Sequence, residues 1–163
     1  MTYSPRIIAN AFLRKAKEQN TGLSHMKLQK LVFYAHAWNL ALHGEPLLSE
    51  KVEAWTYGPV VDSLYHELKA HGSNDIKSYL KEEDRKTGAL VAYVPNSSDT
   101  QTWKLIDQVW DRYSKYSASQ LSAMTHTNGS PWHQARLEDD RKISNDAIRE
   151  YYSKTARVGL ARG

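Results

Sequence analysis

The sequence predicts a mainly α protein: a single compact helical domain of six to seven helices that allows one short two-stranded β element. Three observations lead to this prediction. The 163 residues match the usual size of one domain. Apolar residues recur at helical spacing along most of the chain, with Ser, Asp, Pro or Gly where helices should begin and end. No repeat or linker divides the chain, so we predict one domain over 1–163, with a core at 4–152 and a flexible tail at 156–163.

The first two predicted helices make up the N-terminal part of the chain. Ser4-Pro5 caps and opens the first helix, which should end near Asn20. Ser24 caps the second, and Gly44 is its natural C-terminal stop. The second helix carries a wide apolar stripe and should therefore be the centre of the core. The members of this stripe are Leu28, Leu31, Val32, Ala35, Trp38 and Leu42.

The next segment changes period. Residues 51–57 alternate between apolar and other side chains, which predicts an extended piece or short strand. Gly58-Pro59 ends it, and the proline should open a third helix because the first helical position needs no N–H donor. That helix should end at His71-Gly72.

The pattern is weakest between residues 73 and 100. We expect a short helix at 75–83 and a short strand at 89–94 that pairs with residues 51–57. Three further helices and one helical turn should follow. Their starting signals are Ser98 or Asp99, Ser117 or Ser119, Pro131, and Ser144.

Composition limits the class of protein. The chain has no cysteine, which excludes disulfides, cysteine nucleophiles and thiolate metal sites. Its first ten residues lack an apolar core and a cleavage site, so we expect no signal peptide and a cytoplasmic location. The most apolar stretch, 31–42, is interrupted by His36 and Asn39 and is too short to span a bilayer. We therefore expect no membrane partner.

The net charge of +4 is unevenly distributed. Residues 1–44 sum to +5, residues 45–100 to −4 and residues 101–163 to +3. A basic first third could face nucleic acid or an acidic protein. The alternative is that the first two helices simply expose solvated cations. These are Arg14, Lys15, Lys17, Lys27 and Lys30.

The first two helices also raise a helix-turn-helix interpretation. The N-terminal end of the second helix would have to leave side chains free for base edges. His25, Lys27, Gln29 and Lys30 are polar enough to do this, but apolar residues dominate the rest of that helix. Nucleic-acid binding therefore remains an alternative rather than the main prediction.

The histidines do not predict a metal site. His66 and His71 are five apart, which on a helix rotates them by about 140° relative to each other. His36 and His43 share a face, but they lie two turns apart, at about 10 Å. Nucleophile-elbow, phosphate-binding and dinucleotide-binding motifs are also missing from the sequence. We predict no catalytic residue, no metal, no cofactor and no enzymatic activity.

The aromatic composition favours protein contact. Five Trp and ten Tyr stand against two Phe, and Trp and Tyr suit half-buried positions and interfaces. Trp55, Tyr57 and Tyr65 cluster around Gly58-Pro59. They either wedge the extended piece against the helices or contact a partner.

Three segments resemble a known family. They read KLQKLVFYAHAWNLALHGEPLL at 27–48, VEAWTYGPVVDSLYHELKAHG at 52–72 and LSAMTHTNGSPWHQAR at 121–136. In this order they resemble the Panacea (SocA-like antitoxin) domain, and with the helices between them they span about residues 4–152. The resemblance implies a helical antitoxin domain, often phage-associated, that neutralises a protein toxin by direct contact. Some members carry a separate DNA-binding domain, and we expect none within these 163 residues.

The resemblance and the composition together give the functional expectations. The partner should be a protein toxin, encoded by a neighbouring gene, whose active site is covered or held inactive. The alternatives are an adaptor that delivers a partner protein to a protease and a basic nucleic-acid-binding regulator. The candidate partner-binding residues are His36, Trp55, Tyr57, Tyr65, His126 and Trp132. The candidate structural motif residues are Leu28, Leu31, Trp38, Gly58, Pro59 and Pro131.

Overall fold

The structure is a computed structural model that describes the backbone of residues 1–162 and the side chains of residues 1–156. The tail predicted at 156–163 lies outside the described side chains, apart from Ala156. Within the described part, seven α-helices and two small antiparallel sheets confirm the mainly α fold class. The helices are α1 Pro5–Glu18, α2 His25–His43, α3 Asp62–Leu68, α4 Thr100–Tyr113, α5 Ala118–Thr125, α6 Pro131–Leu137 and α7 Asn145–Arg162.

Helix α2 lies at the centre of the fold, as predicted. The Ser24 hydroxyl accepts a hydrogen bond from the Lys27 amide at its start, and Gly44, in the left-handed conformation at φ 71°, ends it. The helix packs against α1, α4, α5 and α7. Leu28 and Leu31 are fully buried, and the helix is enclosed around most of its circumference because other elements cover it on several sides.

The later helices begin at the expected capping residues. Asp99 caps α4, and Ser117 caps α5 in a reciprocal capping box with Gln120. Pro131 is the first residue of α6, and the Ser144 hydroxyl accepts from the amide of Ala147 at the start of α7. Local capping chemistry therefore suffices to locate these helix starts.

The larger sheet has three strands in the order β2-β1-β5. Strand β1 is Val52–Trp55, β2 is Gly58–Val60 and β5 is Lys142–Ile143, which joins from far along the chain. Trp55 lies opposite Gly58, so a two-residue loop connects β1 to β2. The predicted strand is thus confirmed, but it is the central strand of three rather than one half of a pair.

The prediction that Pro59 opens a helix is wrong. Pro59 lies in β2 opposite Ala54, and α3 starts only at Asp62. Because β2 is an edge strand, the missing N–H of proline leaves no sheet hydrogen bond unmade. Tight reversal of the chain after Trp55 therefore overrides the helix-starting tendency of proline.

The predicted helix at 75–83 is also wrong. After α3 and a 3-10 turn at Lys69–His71, the chain runs through an irregular stretch to β3, Glu82–Glu83. The Asn10 side chain accepts from the Leu80 amide and donates to the Leu80 carbonyl, at 2.8 and 2.9 Å. A buried side chain on α1 thus takes the backbone groups that a local helix would have used.

The strand expected at 89–94 forms, but with a different partner. Strand β4, Leu90–Val91, pairs with β3 and not with residues 51–57. Asp84 organises the connecting turn by accepting hydrogen bonds from the amides of Lys86 and Thr87. Both sides of β1 are already paired, so the local hairpin is the arrangement left open.

None of the helices described in residues 1–162 has the length and apolar character needed to cross a membrane.

Candidate functional site

The most exposed aromatic side chain of the larger sheet lies at the tip of the β1–β2 hairpin. Thr56 and Tyr57 form the two-residue loop, and Tyr57 is 70% exposed. Gly58 follows at φ 117°, a conformation that residues with a Cβ rarely adopt. A Cβ at this position would lie 2.9 Å from both Lys30 Cε and Thr125 Oγ1. The tip is therefore tightly packed underneath while its tyrosine faces solvent.

Helix α2 holds the second strand of this hairpin. The Gln29 side chain accepts from the Val61 amide and donates to the Val61 carbonyl, both at 3.1 Å, as a neighbouring strand would. One residue on, Lys30 Nζ donates to the Pro59 carbonyl at 3.1 Å. Both polar side chains are fully buried, so these bonds satisfy groups that would otherwise be costly to bury.

Helices α5 and α6 hold the first strand and the tip. Ser122 Oγ donates to the Tyr57 carbonyl and Trp132 Nε1 donates to the Trp55 carbonyl, each at 2.6 Å. Arg136 donates to the Ala54 carbonyl at 3.2 Å, and the His126 ring stacks on Trp132 with centroids 3.9 Å apart. Hydrogen bonds to three backbone carbonyls of the hairpin thus fix it between α2 and the α5–α6 pair.

Two adjoining depressions surround Tyr57, and we call them together the Tyr57 groove. They share Met26, Tyr57 and Tyr65. The first, of about 500 Å³, is further lined by Ala54, Trp55, Thr56, Val60, Arg136 and Arg141. The second, of about 610 Å³, is further lined by His25, Lys69, Gly72, Ala118, Ser119, Ser122, Ala123 and His126.

Packed rings form the floor of this groove. Tyr65 on α3 lies 4.8 Å from Trp55 and 5.0 Å from His25, measured between ring centroids. Trp55 is oriented by its own hydrogen bond, at 2.8 Å, to Glu53 Oε1. The same carboxylate receives Arg141 at 3.0 Å. These contacts pack the rings against one another and against the sheet beneath the groove.

The described lining residues carry positive but no negative side chains. Lys69, Arg136 and Arg141 are the cations, and neither depression is lined by Asp or Glu. The nearby Glu53 carboxylate is engaged by Arg141 and Trp55. The groove therefore offers an aromatic surface in a positive field.

A buried lysine lies directly beneath the hairpin. Lys30 is fully buried, and burial lowers the pKa of its ammonium to about 8, so it is still mostly protonated at pH 7. Burial first, and then the charge of Lys30, lowers the pKa of both His25 and His126. The Nε2 atoms of these two histidines are buried and have no hydrogen-bond partner among the described residues.

Comparison with known proteins identifies the family. The model of the family described as antitoxin SocA-like, Panacea domain, matches residues 28–133. The chain belongs to this family. The antitoxin SocA of Caulobacter vibrioides is 34% identical over 127 residues, which cover 78% of this chain and 67% of that protein. No solved structure matches the chain significantly.

The Panacea match includes the β1–β2 hairpin and most of the elements that surround it. Residues 28–133 contain most of α2, both strands of the hairpin, α3, α5 and the start of α6. The resemblance stated from the three sequence segments is thereby confirmed. The contribution of β5 and α7 comes from beyond the matched range.

Four of the six predicted partner-binding residues of this Panacea domain line the groove. Trp55, Tyr57 and Tyr65 all line it, and Tyr57 is the exposed member. His126 lines the second depression, and Trp132 lies behind it as a half-buried support that bonds the Trp55 carbonyl. Trp55 and Tyr65 thus pack against each other, as the wedge interpretation predicts, whereas Tyr57 is exposed and its contact with a partner stays a prediction.

His36 lies elsewhere. It is fully buried on α2, where its Nδ1 accepts from the amides of Leu47 and Leu48, and its Nε2 lies 2.9 Å from Asn145 Oδ1. In the folded chain this histidine joins α2 to the following loop and to α7. We therefore leave His36 out of the candidate surface.

The candidate structural residues all support the fold. Leu28 and Leu31 are core residues, and Pro131 is buried at the start of α6. Trp38 is 8% exposed and donates to the Tyr113 hydroxyl at 2.7 Å. Gly58 and Pro59 build β2 beneath the tip, as described above.

Sequence reasoning missed the basic side of the groove. His25, Lys69 and Arg136 line it, and Lys30 lies beneath it, yet none was a predicted site residue. The alternative that Lys30 lies on a solvated helix face is wrong, because the β1–β2 hairpin covers that face. Periodicity could not reveal this, since the covering element comes from later in the chain.

The same contacts remove the basis for the helix-turn-helix interpretation. His25, Gln29 and Lys30 are buried, and Lys27 Nζ donates to the Ser114 carbonyl. The N-terminal turns of α2 therefore face protein instead of solvent. Among the described residues, no group of three or more His, Cys, Asp or Glu is placed to hold a metal ion.

Proposed function

We propose that this chain is an antitoxin that neutralises a protein toxin by direct binding, and that the Tyr57 groove is the contact surface. The observation that carries the proposal is the family match over residues 28–133, whose hairpin presents Tyr57 to solvent. The related SocA protein is named as an antitoxin. The partner is proposed to be a protein encoded by a neighbouring gene.

The geometry of Tyr57 supports this surface. Tyrosine is a frequent interface anchor, because it offers a large contact area and loses little conformational entropy on binding. Here the backbone that follows the side chain is fixed, by Ser122 at the Tyr57 carbonyl and by the tight packing beneath Gly58. Pre-organisation of this kind lowers the entropic cost of binding.

The proposed mechanism is occlusion without chemistry. The groove has packed rings, three cations and hydroxyl groups, an arrangement suited to recognition. A standard protein interface buries about 1,600 Å² in total, so the partner would cover the groove and surface around it. An active site on the partner would thus be covered or held in an inactive conformation.

Co-expression with the product of the neighbouring gene tests the proposal. If that product arrests growth alone, this chain should restore growth, and the two proteins should co-elute in size-exclusion chromatography. Tyr57→Ala should abolish both effects. Tyr93→Ala is the matched control, because Tyr93 is also exposed, at 39%, but does not line the groove.

The outcomes separate the alternatives. Rescue without a stable complex, together with a shortened half-life of the partner, would favour the protease adaptor over simple occlusion. Equal loss of rescue in Tyr57→Ala and Tyr93→Ala would place the interface outside the groove. Failure of the wild-type chain to bind or rescue would contradict the proposed function itself.

A further inference from the structure

The charges around the Tyr57 groove indicate which kind of partner surface would bind there. Its described lining has three cations and no carboxylate. Two of these cations already have acceptors, since Arg141 bonds Glu53 and Arg136 bonds the Ala54 carbonyl. Lys69 forms no ion pair within residues 1–156 and is exposed at the rim. One rim ammonium is therefore available to a bound molecule.

A second positive charge lies below the groove without a counter-ion. The Lys30 ammonium is fully buried, and its described hydrogen bond is to a neutral carbonyl, that of Pro59. No described carboxylate lies within ion-pairing distance of Lys30. Buried charges are ordinarily paired, because desolvation is costly and an opposite charge offsets it. Because neutral dipoles and no carboxylate surround this ammonium, its charge is not cancelled. It therefore contributes a positive potential at the surface above it.

Two imidazoles between the surface and Lys30 have unused hydrogen-bonding capacity. His25 is 5% exposed, lines the second depression, and has a buried Nε2 with no partner in the described part of the chain. His126, which lines the same depression, also has an unpartnered Nε2. A neutral imidazole carries one N–H and one acceptor nitrogen, so each ring keeps hydrogen-bonding capacity at its Nε2, while the His126 ring also interacts with the Tyr57 backbone.

We propose that the second depression of the Tyr57 groove accepts a carboxylate-bearing, acidic segment of the partner protein, with Lys69 and the histidines at its surface and Lys30 beneath. This inference rests on the proposed function and adds the chemistry of the partner. Tyr57 anchors the complex by packing, while the positive field selects an Asp- or Glu-containing segment over neutral ones.

A protein segment fits this site better than a nucleic acid. A nucleic-acid path needs a row of exposed cations spaced along a phosphate backbone. Here the arginines are engaged by protein groups, and the positive field centres on one depression instead of following a track. The depression has the size of a few side chains.

Affinity measurements on the purified complex with the neighbouring gene's product test the inference. Lys69→Glu should weaken binding about tenfold or more at about 50 mM NaCl, and the wild-type affinity should fall several-fold towards about 500 mM NaCl. Lys104→Glu, an exposed lysine of α4 outside the groove, is the matched control and should change affinity less than about twofold. Zero-length carbodiimide coupling should join Lys69 to an Asp or Glu of the partner.

Lys30→Met provides a variant that should remain folded, since it replaces a buried ammonium by an apolar chain of similar length. It should weaken binding at least threefold, by about 0.65 kcal/mol, if the buried charge acts on the partner. Unfolding measurements on the free variant confirm that the protein is intact.

The two proposals fail in different ways. If Tyr57→Ala abolishes binding while Lys69→Glu, Lys30→Met and salt leave it unchanged, the acidic-segment inference is overturned and the proposed function stands. If the wild-type chain does not bind the neighbouring product, both are overturned. Tight binding of a short single-stranded DNA or RNA that competes with the partner would replace the inference with nucleic-acid recognition.

Discussion

Two aromatic regions beside α2 differ in whether other elements of the fold cover them. The Tyr34 cluster consists of Tyr34, Trp38, Tyr113 and Tyr152, all nearly completely buried. Tyr34 stacks on Tyr113 at 4.0 Å, and Tyr152 meets both Tyr34 and Trp38 edge-on. Trp38 Nε1 donates to the Tyr113 hydroxyl, so the cluster satisfies an internal polar group. It closes the core between α2, α4 and α7.

The Tyr57 groove is built from similar residues but remains open. Tyr57 is 70% exposed, and the Nε2 atoms of His25 and His126 have no described partner. A surplus of Tyr and Trp therefore does not by itself locate a binding surface. The difference lies in what covers the rings: helices enclose the Tyr34 cluster, whereas the hairpin tip has nothing described above it.

The largest effect on stability is expected in the Tyr34 cluster. Trp38→Ala removes a buried indole and should lower the free energy of unfolding by about 3–5 kcal/mol, because the rigid surroundings leave a cavity. Chemical denaturation measures this loss. Trp38→Phe keeps a ring but loses the bond to Tyr113, and should cost distinctly less. Equal losses in both variants would contradict the cavity explanation.

A smaller loss is expected at the base of the groove. Gly58→Ala should cost about 2–3 kcal/mol, because its φ of 117° is strained for alanine and the new Cβ meets Lys30 and Thr125 at 2.9 Å. Gly44→Ala is the control. Gly44 also has a positive φ, 71°, but open space around it, so its cost should be about 1 kcal/mol. Thermal and denaturant unfolding measure both costs. Equal costs for Gly58→Ala and Gly44→Ala would show that the contacts of the new Cβ with Lys30 and Thr125 are unimportant.

Lys30→Met should raise the free energy of unfolding instead of lowering it, and the size of this gain should depend on pH. The folded-state pKa, about 8, lies below the ordinary 10.5, so the unfolded chain holds this proton more tightly. Below pH 8 the buried charge therefore costs stability, and the variant should be more stable by about 1–2 kcal/mol after loss of the Pro59 bond. As pH rises through 8 to 10.5, wild type recovers this cost and the difference should disappear. Denaturation of both proteins at pH 7 and 10 checks the trend.

The smallest effect on folding is expected for Tyr57→Ala. Its side chain is mostly in solvent, so the free energy of unfolding should change by no more than about 0.5 kcal/mol. Loss of partner binding with unchanged melting would distinguish this surface residue from Trp38. A large drop in melting temperature would instead assign Tyr57 to the fold.

Local signals in the sequence predicted much of the helical framework. Capping residues and helix stops located both ends of α2 and the starts of α4, α5, α6 and α7. They failed at Pro59 and at residues 75–83, where distant groups intervened. Pairing with β1 took Pro59 into a strand, and the Asn10 side chain took the backbone bonds of Leu80.

The candidate site was predicted only in part, for the same reason. Trp55, Tyr57 and Tyr65 are close in sequence and border the same break, so their proximity could be expected. Arg136 reaches the site from α6, and His25 and Lys30 come from α2, across much larger separations in the chain. No spacing rule links these residues to the hairpin.

By itself, the sequence determined the fold class, the central position of α2 and the family, because periodicity, caps and the three segments are local properties. Only the tertiary structure decided that Lys30 is buried, that His36 is internal and that Tyr57 stands free. Burial depends on which distant element covers a face, and the β1–β2 hairpin covers the face of α2 that carries Lys30. The burial of the Lys30 ammonium beneath the groove is a consequence of that covering.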